Sequence, residues 1–428
     1  MASEDPNATA LKVWLAQNNG YFDPNTGFCK TNSGFSIIAN TSLPAESTIV
    51  TTPFSLAITR KVAAEALVQI LKNRSALESW NERQCIASYL CFHHILNGES
   101  LNLRHRPYVQ TLPTPDQLRT GLFLSSAERE LFQGTNLYGA IQDREQEWKS
   151  EWNQCHKVVA GVEEAWARAF TWWVISFSRS LGRFLSAFRE LYLTSASHIS
   201  SRAFPSTLLS KNPSLLSSPS TEPILLPGID SLNHARGQPV SWVVTYPNEL
   251  NQTPEPCISL ILHSSTPAGS ELFNNYGAKP NSELILGYGF SLAENPDDTI
   301  ILKIGGGGSD TKKWEIGRSS RGEEGLGAEG LWTEVLSLIS QNTTYNYEDE
   351  LDASSMLGEM IRSVIEKLPT SKRSLDPGQI RPDVIEMFRN YLEGQRDILD
   401  SLLAFVDAKE QSAIEKARSE GVDIVLED

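Results

Sequence analysis

Two short polar segments hold the side chains of this 428-residue chain that are best suited to chemistry. The first, Gly228–His234, ends in an adjacent asparagine and histidine, and the second, Leu272–Asn281, contains Asn-Asn-Tyr276-Gly. Both interrupt apolar runs typical of strands, so both are expected to form turns beside the core. Catalytic and binding groups concentrate on such loops when a rigid scaffold holds them. If the two segments meet in space, we expect them to form a cofactor pocket.

Length and composition predict a multi-domain, soluble protein inside the cell. The chain exceeds the size at which one hydrophobic core usually divides into several, and 40% of its residues are hydrophobic. Its most apolar stretch, 165–193, contains four arginines, so no membrane-spanning segment is expected. The N-terminus lacks the basic and apolar regions of a signal peptide. We expect a cytoplasmic location, a nuclear one, or both, without membrane contact.

The formal net charge of −15 argues against direct nucleic-acid binding and favours a basic protein as the partner. The five cysteines are scattered, odd in number and without zinc-ligand spacing, so we expect reduced thiols. His93 and His94 are neighbours on a predicted helix and point apart, which is poor geometry for a pair of metal ligands. No metal site is therefore expected.

Two common enzyme classes lack their motifs. The glycine run at 305–308 is not followed by Lys-Ser or Lys-Thr, so it is not a phosphate-binding loop. No Gly-x-Ser-x-Gly nucleophile elbow occurs, and no serine stands poised beside Asp230 and His234 to complete a hydrolase triad.

Hydrophobic periodicity predicts a small β unit that is interrupted by a long helical segment and followed by a helical C-terminal domain. The predicted strands are 34–39, 48–52, 240–245, 257–262 and 299–303. Helices are predicted between Arg60 and Leu193, where an aromatic stripe from Trp166 to Phe188 is expected to be packed core. The predicted C-terminal helices are 331–339, 355–368 and 382–420. Residues 106–113 and 212–222 are predicted loops.

Five segments, taken in order, carry a family resemblance. Phe273–Phe290 fits the pattern Tyr-Gly-x-x-x-Asn-x-x-Leu-Leu-x-x-Tyr-Gly-Phe and is the most specific of them. The others are the strand region Ser33–Glu46, the Pro-Tyr element Arg106–Pro113, the Ser-Arg-x-Phe element Ser201–Phe204 and the Asp-x-x-Asn-His motif Asp230–His234. Together they resemble the SET-domain methyltransferases, in the branch typified by the Rubisco large-subunit lysine methyltransferase and the fungal ribosomal-protein lysine methyltransferases.

The resemblance implies an α+β fold, namely a SET domain with its β-clip and pseudoknot. It also implies a helical insertion within that domain and an all-α C-terminal domain similar to the family's substrate-binding domain. The implied parts are 20–60 and 200–305 for the SET domain, 61–199 for the insertion and 325–428 for the C-terminal domain.

The implied activity is transfer of a methyl group from S-adenosylmethionine to a lysine side chain of a protein substrate. By resemblance, the cofactor-binding residues are Gly34, Phe35, Ser36, Ser47, Ile49, Arg202, Asp230, Asn233, His234, Tyr276 and Phe290. Arg202 would hold the cofactor carboxylate with its planar fork, oriented by Asp230. Phe290 would stack on the adenine. Ser36 stands where the family often has glycine, which loses a close backbone approach.

Tyr276 is the implied catalytic residue, placed where the methyl group, the amine and the sulfur meet. Methyl transfer is an in-line displacement, so alignment is the main catalytic task. Phe204 and Tyr288 would wall the acceptor channel, and this aromatic pair resembles the lysine-modifying members. The implied substrate is a basic protein, ribosomal or histone-like, and the enzyme is expected to be a monomer. A protein-histidine methyltransferase and a non-catalytic SET-fold binding module remain alternatives.

Overall fold

The computed structural model describes part of the chain, namely residues 4–97, 100–172, 190–214, 218–247, 254–305, 312–319, 327–340, 344–369 and 379–422. It forms two compact units. The first unit comprises Met1–Leu118 and Arg144–Gly277, and the second comprises Arg119–Asp143 and Ala278–Asp428. The domain boundaries expected from the sequence remain predictions.

The described residues form helices and strands in successive groups. The helices are α1 (Pro6–Gln17), α2 (Arg60–Leu71), α3 (Arg74–Glu78), α4 (Glu82–Ile95), α5 (Arg106–Val109), α6 (Ser126–Glu130), α7 (Asn136–Ala160), α8 (Glu164–Ala169), α9 (Leu191–Arg202), α10 (Asn281–Glu283), α11 (Ala328–Ile339), α12 (Tyr347–Lys367) and α13 (Pro382–Ser419). The strands are β1 (Tyr21–Phe22), β2 (Thr26–Thr31), β3 (Gly34–Ala39), β4 (Ser47–Pro53), β5 (Phe204–Pro205), β6 (Pro223–Ile224), β7 (Asn233–His234), β8 (Val240–Thr245), β9 (Cys257–Leu262), β10 (Glu271–Asn274), β11 (Thr299–Ile304) and β12 (Lys312–Gly317).

Short turns of tighter or wider helix join these elements. The 3-10 turns are Phe54–Leu56, Pro115–Gln117, Gly121–Phe123, Ser206–Leu209 and Ile229–Ser231, and Leu284–Tyr288 is a π-helix. A π-helical turn is rare and often marks a functional site.

The first unit is built on two small sheets. One has the strand order β1-β4-β9-β8 and is antiparallel throughout. The other has the order β2-β3-β10-β7, in which only the β10–β7 pair is parallel. Because β4 pairs with β9 and β3 with β10, strands from the two ends of this unit complete each other. The long helical segment is an insertion between them.

Helices α2, α4 and α9 supply the helical core of the first unit. Asn81 and Gln84 form a capping box that satisfies free N–H groups at the start of α4. Phe92 of this helix lies edge-on to Trp166, with ring centroids 5.6 Å apart, and Phe170 is fully buried nearby. These contacts confirm that this part of the aromatic stripe is packed core. The rest of the stripe, from Trp173 to Phe188, lies outside the described residues.

The second unit contains the helical body α11, α12 and α13 and the antiparallel pair β11–β12. Asn346 and Asp349 form a capping box at the start of α12, whose first turn carries three acidic side chains. Negative charge at a helix N-terminus is stabilising because it faces the positive end of the helix dipole. Val335, Leu357 and Leu399 are among the fully or almost fully buried side chains of this body.

All five predicted strands and the three predicted C-terminal helices are confirmed, with shifts at their ends. The helices expected between Arg60 and Leu193 include α7, which runs from Asn136 to Ala160. One expectation was wrong. Residues 106–113 do not form a plain loop, since Pro107 at the first turn starts the short helix α5.

All five cysteines are free. Burial raises the pKa of Cys85 to about 11 and that of Cys91 to about 12, so neither ionises near neutral pH. Within the described residues, no helix has both the length and the apolar character required to cross a bilayer.

Candidate functional site

The two polar segments meet in the first unit. Asn233 pairs with Phe273, and His234 pairs with Asn274, in the parallel ladder between β7 and β10. The expectation of simple turns was therefore wrong at these positions, because backbone pairing turns both segments into short strands. The ladder continues when Ala235 N–H donates to the carbonyl of Asn274 at 2.9 Å. Sequence segments about forty residues apart thus share one sheet edge.

Tyr276 is held from two sides by the Asn-His segment. Its backbone N–H donates to Nδ1 of His234 at 3.0 Å, and the two rings stack with centroids 5.1 Å apart. Its hydroxyl donates to the carbonyl of Leu232 at 2.9 Å. The phenol has only one proton, so any further contact at its oxygen meets a lone pair. That oxygen is therefore an acceptor in a fixed position.

Asn233 links three parts of the cluster. Its side-chain amide donates to Oγ of Ser36 at 3.0 Å and to the carboxylate of Glu271 at 2.8 Å. Both amide hydrogens are then committed, which leaves the amide oxygen and the backbone for a ligand. Ser36 is itself buried. The residue that departs from the family's glycine pattern therefore has a partner of its own.

Arg202 and Asp230 are brought together, as the sequence resemblance implies. A guanidinium nitrogen of Arg202 donates to the Asp230 carbonyl at 2.7 Å and lies 3.7 Å from its carboxylate. Burial raises the pKa of Asp230, although Arg202 and Tyr108 oppose that rise. Burial alone would lower the pKa of Arg202, but Asp230, Tyr108 and Tyr276 together outweigh burial and the pKa is raised. Arg202 therefore stays positively charged.

Sequence reasoning assigned no role to Tyr108, which anchors the same acid. Its hydroxyl donates to Oδ2 of Asp230 at 2.5 Å. Burial and the neighbouring carboxylate raise the pKa of Tyr108 well above its usual value, so the hydroxyl remains a donor. The Pro-Tyr element was visible as a motif, but its contact with a residue 122 positions away was not.

The implied cofactor residues near the N-terminus lie on β3 and β4. Gly34 is buried with φ +125°, a conformation that favours glycine, and an added Cβ would lie 3.2 Å from Pro113. Phe35 lies edge-on to Phe28, and Ser47 donates to the Pro44 carbonyl at 2.6 Å. Ile49 is fully buried at a register shift of the β4–β9 ladder, so only its backbone could contact a ligand.

Phe204, the implied channel residue, lies in β5 and meets an aromatic that sequence reasoning missed. Its ring is edge-on to Trp242 of β8, with centroids 6.2 Å apart. Both side chains are half-buried. The Trp in the predicted strand gave no sign of this contact, because strand periodicity does not say which loop faces which strand.

Tyr288 and Phe290 belong to the second unit, and their rings lie edge-on, 6.2 Å apart. Burial and the nearby Glu283 raise the pKa of Tyr288, so its hydroxyl is protonated at neutral pH. Lys279 lies over the Tyr288 ring, 5.5 Å from its centroid. Gly289 has φ +84°, and a Cβ there would lie 2.6 Å from the backbone of Arg119, which only glycine permits.

The cluster of the first unit suits a ligand that carries both acceptors and donors. Two of its buried polar atoms, Oδ1 of Asp230 and Nδ2 of Asn274, have no hydrogen-bond partner among the described residues. Such atoms cost free energy unless a ligand or water satisfies them. The charged Arg202 beside them can receive a carboxylate. The donor set therefore fits the amino-acid end of S-adenosylmethionine. No group of three or more potential metal ligands occurs in the described part of the chain.

Comparison with solved structures shows that the chain has the SET-domain fold. It matches the SET domain of LSMT bound to lysine and AdoHcy with a TM-score of 0.70, at 15% identity, over 96% of this chain and 93% of that chain. It matches Rubisco LSMT bound to AdoMet with a TM-score of 0.68, at 15% identity, over 99% and 98% of the two chains. The expected fold is thus confirmed.

Sequence comparison finds lysine methyltransferases of fungi. The chain is 32% identical to the ribosomal lysine N-methyltransferase set10 of Schizosaccharomyces pombe over 62% of this chain and 41% of that protein. It is 28% identical to the protein-lysine N-methyltransferase EFM1 of Saccharomyces cerevisiae over 68% and 50%. The chain therefore spans half or less of the length of these relatives. The family resemblance is confirmed, although no family model matches the chain.

Proposed function

We propose that this chain, which has the SET-domain fold, transfers a methyl group from S-adenosylmethionine to a lysine side chain of a protein substrate. The observation that carries the proposal is the joined arrangement of Tyr276, His234 and Asn233 on the β7–β10 ladder. The curated relatives bear the names of lysine methyltransferases, and the matched solved structures hold AdoMet or its product. These findings support lysine methyl transfer as the activity.

Different residues of the chain would bind different parts of S-adenosylmethionine. Arg202, kept charged by Asp230, would hold the cofactor carboxylate. Oδ1 of Asp230 and Nδ2 of Asn274 would receive a donor and an acceptor of the ligand. The backbone at Gly34 and the amide oxygen of Asn233 would complete the contacts along β3 and β7. When bound, S-adenosylmethionine supplies an electrophilic methyl group on a positively charged sulfur.

Tyr276 would align the reaction. Its hydroxyl proton is committed to the Leu232 carbonyl, so its oxygen can accept weak C–H···O contacts from the methyl group. The attacking amine must be neutral, whereas a free lysine has a pKa of about 10.4. A channel walled by aromatic rings lowers that pKa by desolvation. We propose that Phe204 and Tyr288 supply such walls. The assignment of Tyr288 and of Phe290, on the adenine, comes from the sequence resemblance.

The partner that this activity needs is a protein with an accessible lysine. We propose a basic protein, ribosomal or histone-like, because a net charge of −15 attracts cationic surfaces. A ribosomal substrate is supported by the name of the relative from Schizosaccharomyces pombe. We further propose that the enzyme acts as a monomer in the cytoplasm, the nucleus or both.

The test is methyl transfer into a complex mixture. The purified chain is incubated with tritiated S-adenosylmethionine and a fungal cell extract, and labelled protein is hydrolysed for amino-acid analysis. We expect labelled methyllysine. Labelled methylhistidine without methyllysine would show a histidine methyltransferase instead. Omitting the enzyme and adding excess S-adenosylhomocysteine serve as controls.

Cofactor binding separates the enzyme from a non-catalytic module. Isothermal titration of the chain with S-adenosylmethionine should give one site with micromolar affinity. Absence of binding at millimolar cofactor would sink the enzyme proposal and favour a SET-fold binding module.

A further inference from the structure

In the second unit, the segment that carries Tyr288 and Phe290 is closed at its base by side chains. The amide of Asn281 donates to the carbonyl of Leu292 at 2.9 Å and accepts from the Leu292 N–H at 2.8 Å. Outside this closure, Asn295 donates to the carbonyl of Lys279 at 2.8 Å. The loop between Asn281 and Leu292 therefore has its two ends joined by paired hydrogen bonds, as in a strand ladder.

A buried carboxylate fixes Asn281 from behind. Asp298 accepts the backbone N–H of Asn281 at 2.6 Å and its side-chain amide at 3.0 Å. Both residues are fully buried. The two amide hydrogens and the oxygen of Asn281 are thus all used. We call Asn281, Leu292 and Asp298 the Asn281 clamp.

The long helix α13 lies directly against the Asn281 clamp. A Cβ added at Gly394 would lie 2.1 Å from Oδ2 of Asp298, so the helix approaches the carboxylate as closely as a glycine allows. Asn390, one turn earlier, donates to Oγ of Ser291 at 2.9 Å, and Gln395 donates to the carbonyl of Thr299 at 3.0 Å. Residues 390, 394 and 395 of α13 thus touch the closed segment, the clamp and the start of β11.

We propose that the Asn281 clamp, pressed by Gly394, is a positioning device through which α13 sets the conformation of the Tyr288–Phe290 segment. The proposal rests on the proposed function, since Tyr288 and Phe290 matter as walls for acceptor and cofactor. The geometry also explains a glycine in the middle of a long helix, where alanine is normally the more stable residue.

Protonation of Asp298 should tighten the clamp. Burial raises the pKa of Asp298 to about 6, although the Asn281 hydrogen bonds and Arg318 oppose the rise and Glu393 adds to it. Tyr391, also on α13, is the other titratable group coupled to this carboxyl, and burial raises its pKa to about 12. Because this pKa is higher in the closed clamp than in an open, solvated one, the protonated carboxyl favours the closed clamp and ionisation opposes it. The closure should therefore strengthen as the pH falls through about 6.

The experiment compares Gly394→Ala and Asp298→Asn with wild type. The control is Gly358→Ala in α12, where an added Cβ meets only the mobile end of Arg362 at 3.2 Å. Hydrogen exchange of residues 281–292, corrected for the intrinsic effect of pH, reports the clamp without any ligand. Kinetics with S-adenosylmethionine and a methyl-accepting protein report its consequence.

We expect both clamp variants to exchange faster in 281–292 and to raise the KM for acceptor about tenfold, the loss typical of a hydrogen bond to a charged group. Wild type should gain protection as the pH is lowered from 7 to 5, and Asp298→Asn should not. Unchanged exchange in both variants would refute the clamp. Faster exchange with unchanged KM, cofactor affinity and pH profile would refute positioning.

Failure of the proposed function gives a different pattern. If wild type binds no S-adenosylmethionine and transfers no methyl group, the enzyme proposal fails for every variant alike. Hydrogen exchange then judges the clamp alone, and a loss of protection in Gly394→Ala but not in Gly358→Ala would still support it.

Discussion

At the scale of single residues, Tyr276 is held by three contacts, of which a phenylalanine would keep two. The backbone bond to His234 and the ring stacking do not involve the hydroxyl, whereas the bond to Leu232 does. Tyr276→Phe should therefore preserve the loop and lose the fixed oxygen. We expect the turnover number to fall by about 100-fold, which is typical of lost alignment, while cofactor affinity changes little.

The Tyr276→Phe measurement is single-turnover methyl transfer together with isothermal titration of S-adenosylmethionine. Tyr21→Phe, in an exposed position of β1, is the control. Undiminished turnover in Tyr276→Phe would mean that this residue is structural only.

Ser36 was the one cofactor residue that departs from the family pattern. Because its hydroxyl accepts from Asn233, Ser36→Ala should free that amide and weaken S-adenosylmethionine binding by about fivefold, the equivalent of one hydrogen bond. Isothermal titration checks the change, with exposed Ser33→Ala as the control. Tighter binding by Ser36→Ala would show that the serine is a hindrance.

Tyr108 supports Asp230 from a distant part of the sequence. Tyr108→Phe removes the donor to a buried carboxylate, and we expect a loss of about 1–3 kcal/mol in the free energy of unfolding. Urea denaturation measures the change, and Tyr246→Phe, a half-buried tyrosine of the same unit, is the control. Equal stability of wild type and Tyr108→Phe would argue that water replaces the hydroxyl.

At the scale of elements, the Asp298 carboxyl, which lies against α13, makes the free energy of unfolding depend on pH. Its pKa is raised by burial from 3.8 to about 6, so the folded state binds more protons than the unfolded state between those values. Stability must then decrease as the pH rises through this window, by up to about 3 kcal/mol at 1.36 kcal/mol per pKa unit. Urea unfolding at pH 4 and pH 6.5 tests this.

The Asp298→Asn variant should lack this part of the pH dependence, since it has no proton to lose. The informative quantity is the difference between the two proteins at each pH, because other carboxyl groups titrate equally in both. If the difference is the same at pH 4 and pH 6.5, Asp298 does not titrate in the way proposed.

Sequence patterns predicted the elements better than the contacts among them. Alternating β-branched residues located β3, β4, β8, β9 and β11, but the other seven strands of the described residues were missed, namely four two-residue strands and three longer ones. Of these, Thr26–Thr31 and Lys312–Gly317 carry glycine, lysine or polar residues that weaken the alternation. The third, β10, was read as a turn, because Asn-Asn-Tyr-Gly has turn composition and only pairing with β7 extends it.

In the candidate site, too, single residues could be predicted from the sequence better than the contacts among them. Motif order singled out Tyr276, Asn233, His234, Arg202 and Asp230, and the structure brings the first three together and places Arg202 against Asp230. Tyr108 and Trp242 could not be assigned, since each acts through a partner that lies far away in sequence. The hydrogen bond between Ser36 and Asn233 crosses 197 positions, so the sequence does not show that this serine has a partner.

At the scale of the whole molecule, net charge offers a test of the substrate class. A chain with a charge of −15 should attract a basic protein over long range, and salt screens that attraction. Raising the salt from about 0.05 M to about 0.3 M should increase the KM for a basic acceptor severalfold and leave the turnover number nearly unchanged. Methyl transfer to a neutral lysine peptide is the control, and equal salt effects on both acceptors would contradict a charge-selected substrate.

The pairing of β4 with β9 has a consequence for the order in which this chain is made. Thr51 and Ser259 share a hydrogen bond of 2.7 Å although they lie 208 residues apart. During synthesis the first strands leave the ribosome long before their partners, and closing so large a loop is slow. Their unpaired edges are open to wrong pairing until then. Dependence on a chaperone that shields nascent strands should therefore be greatest for the N-terminal half of the nascent chain.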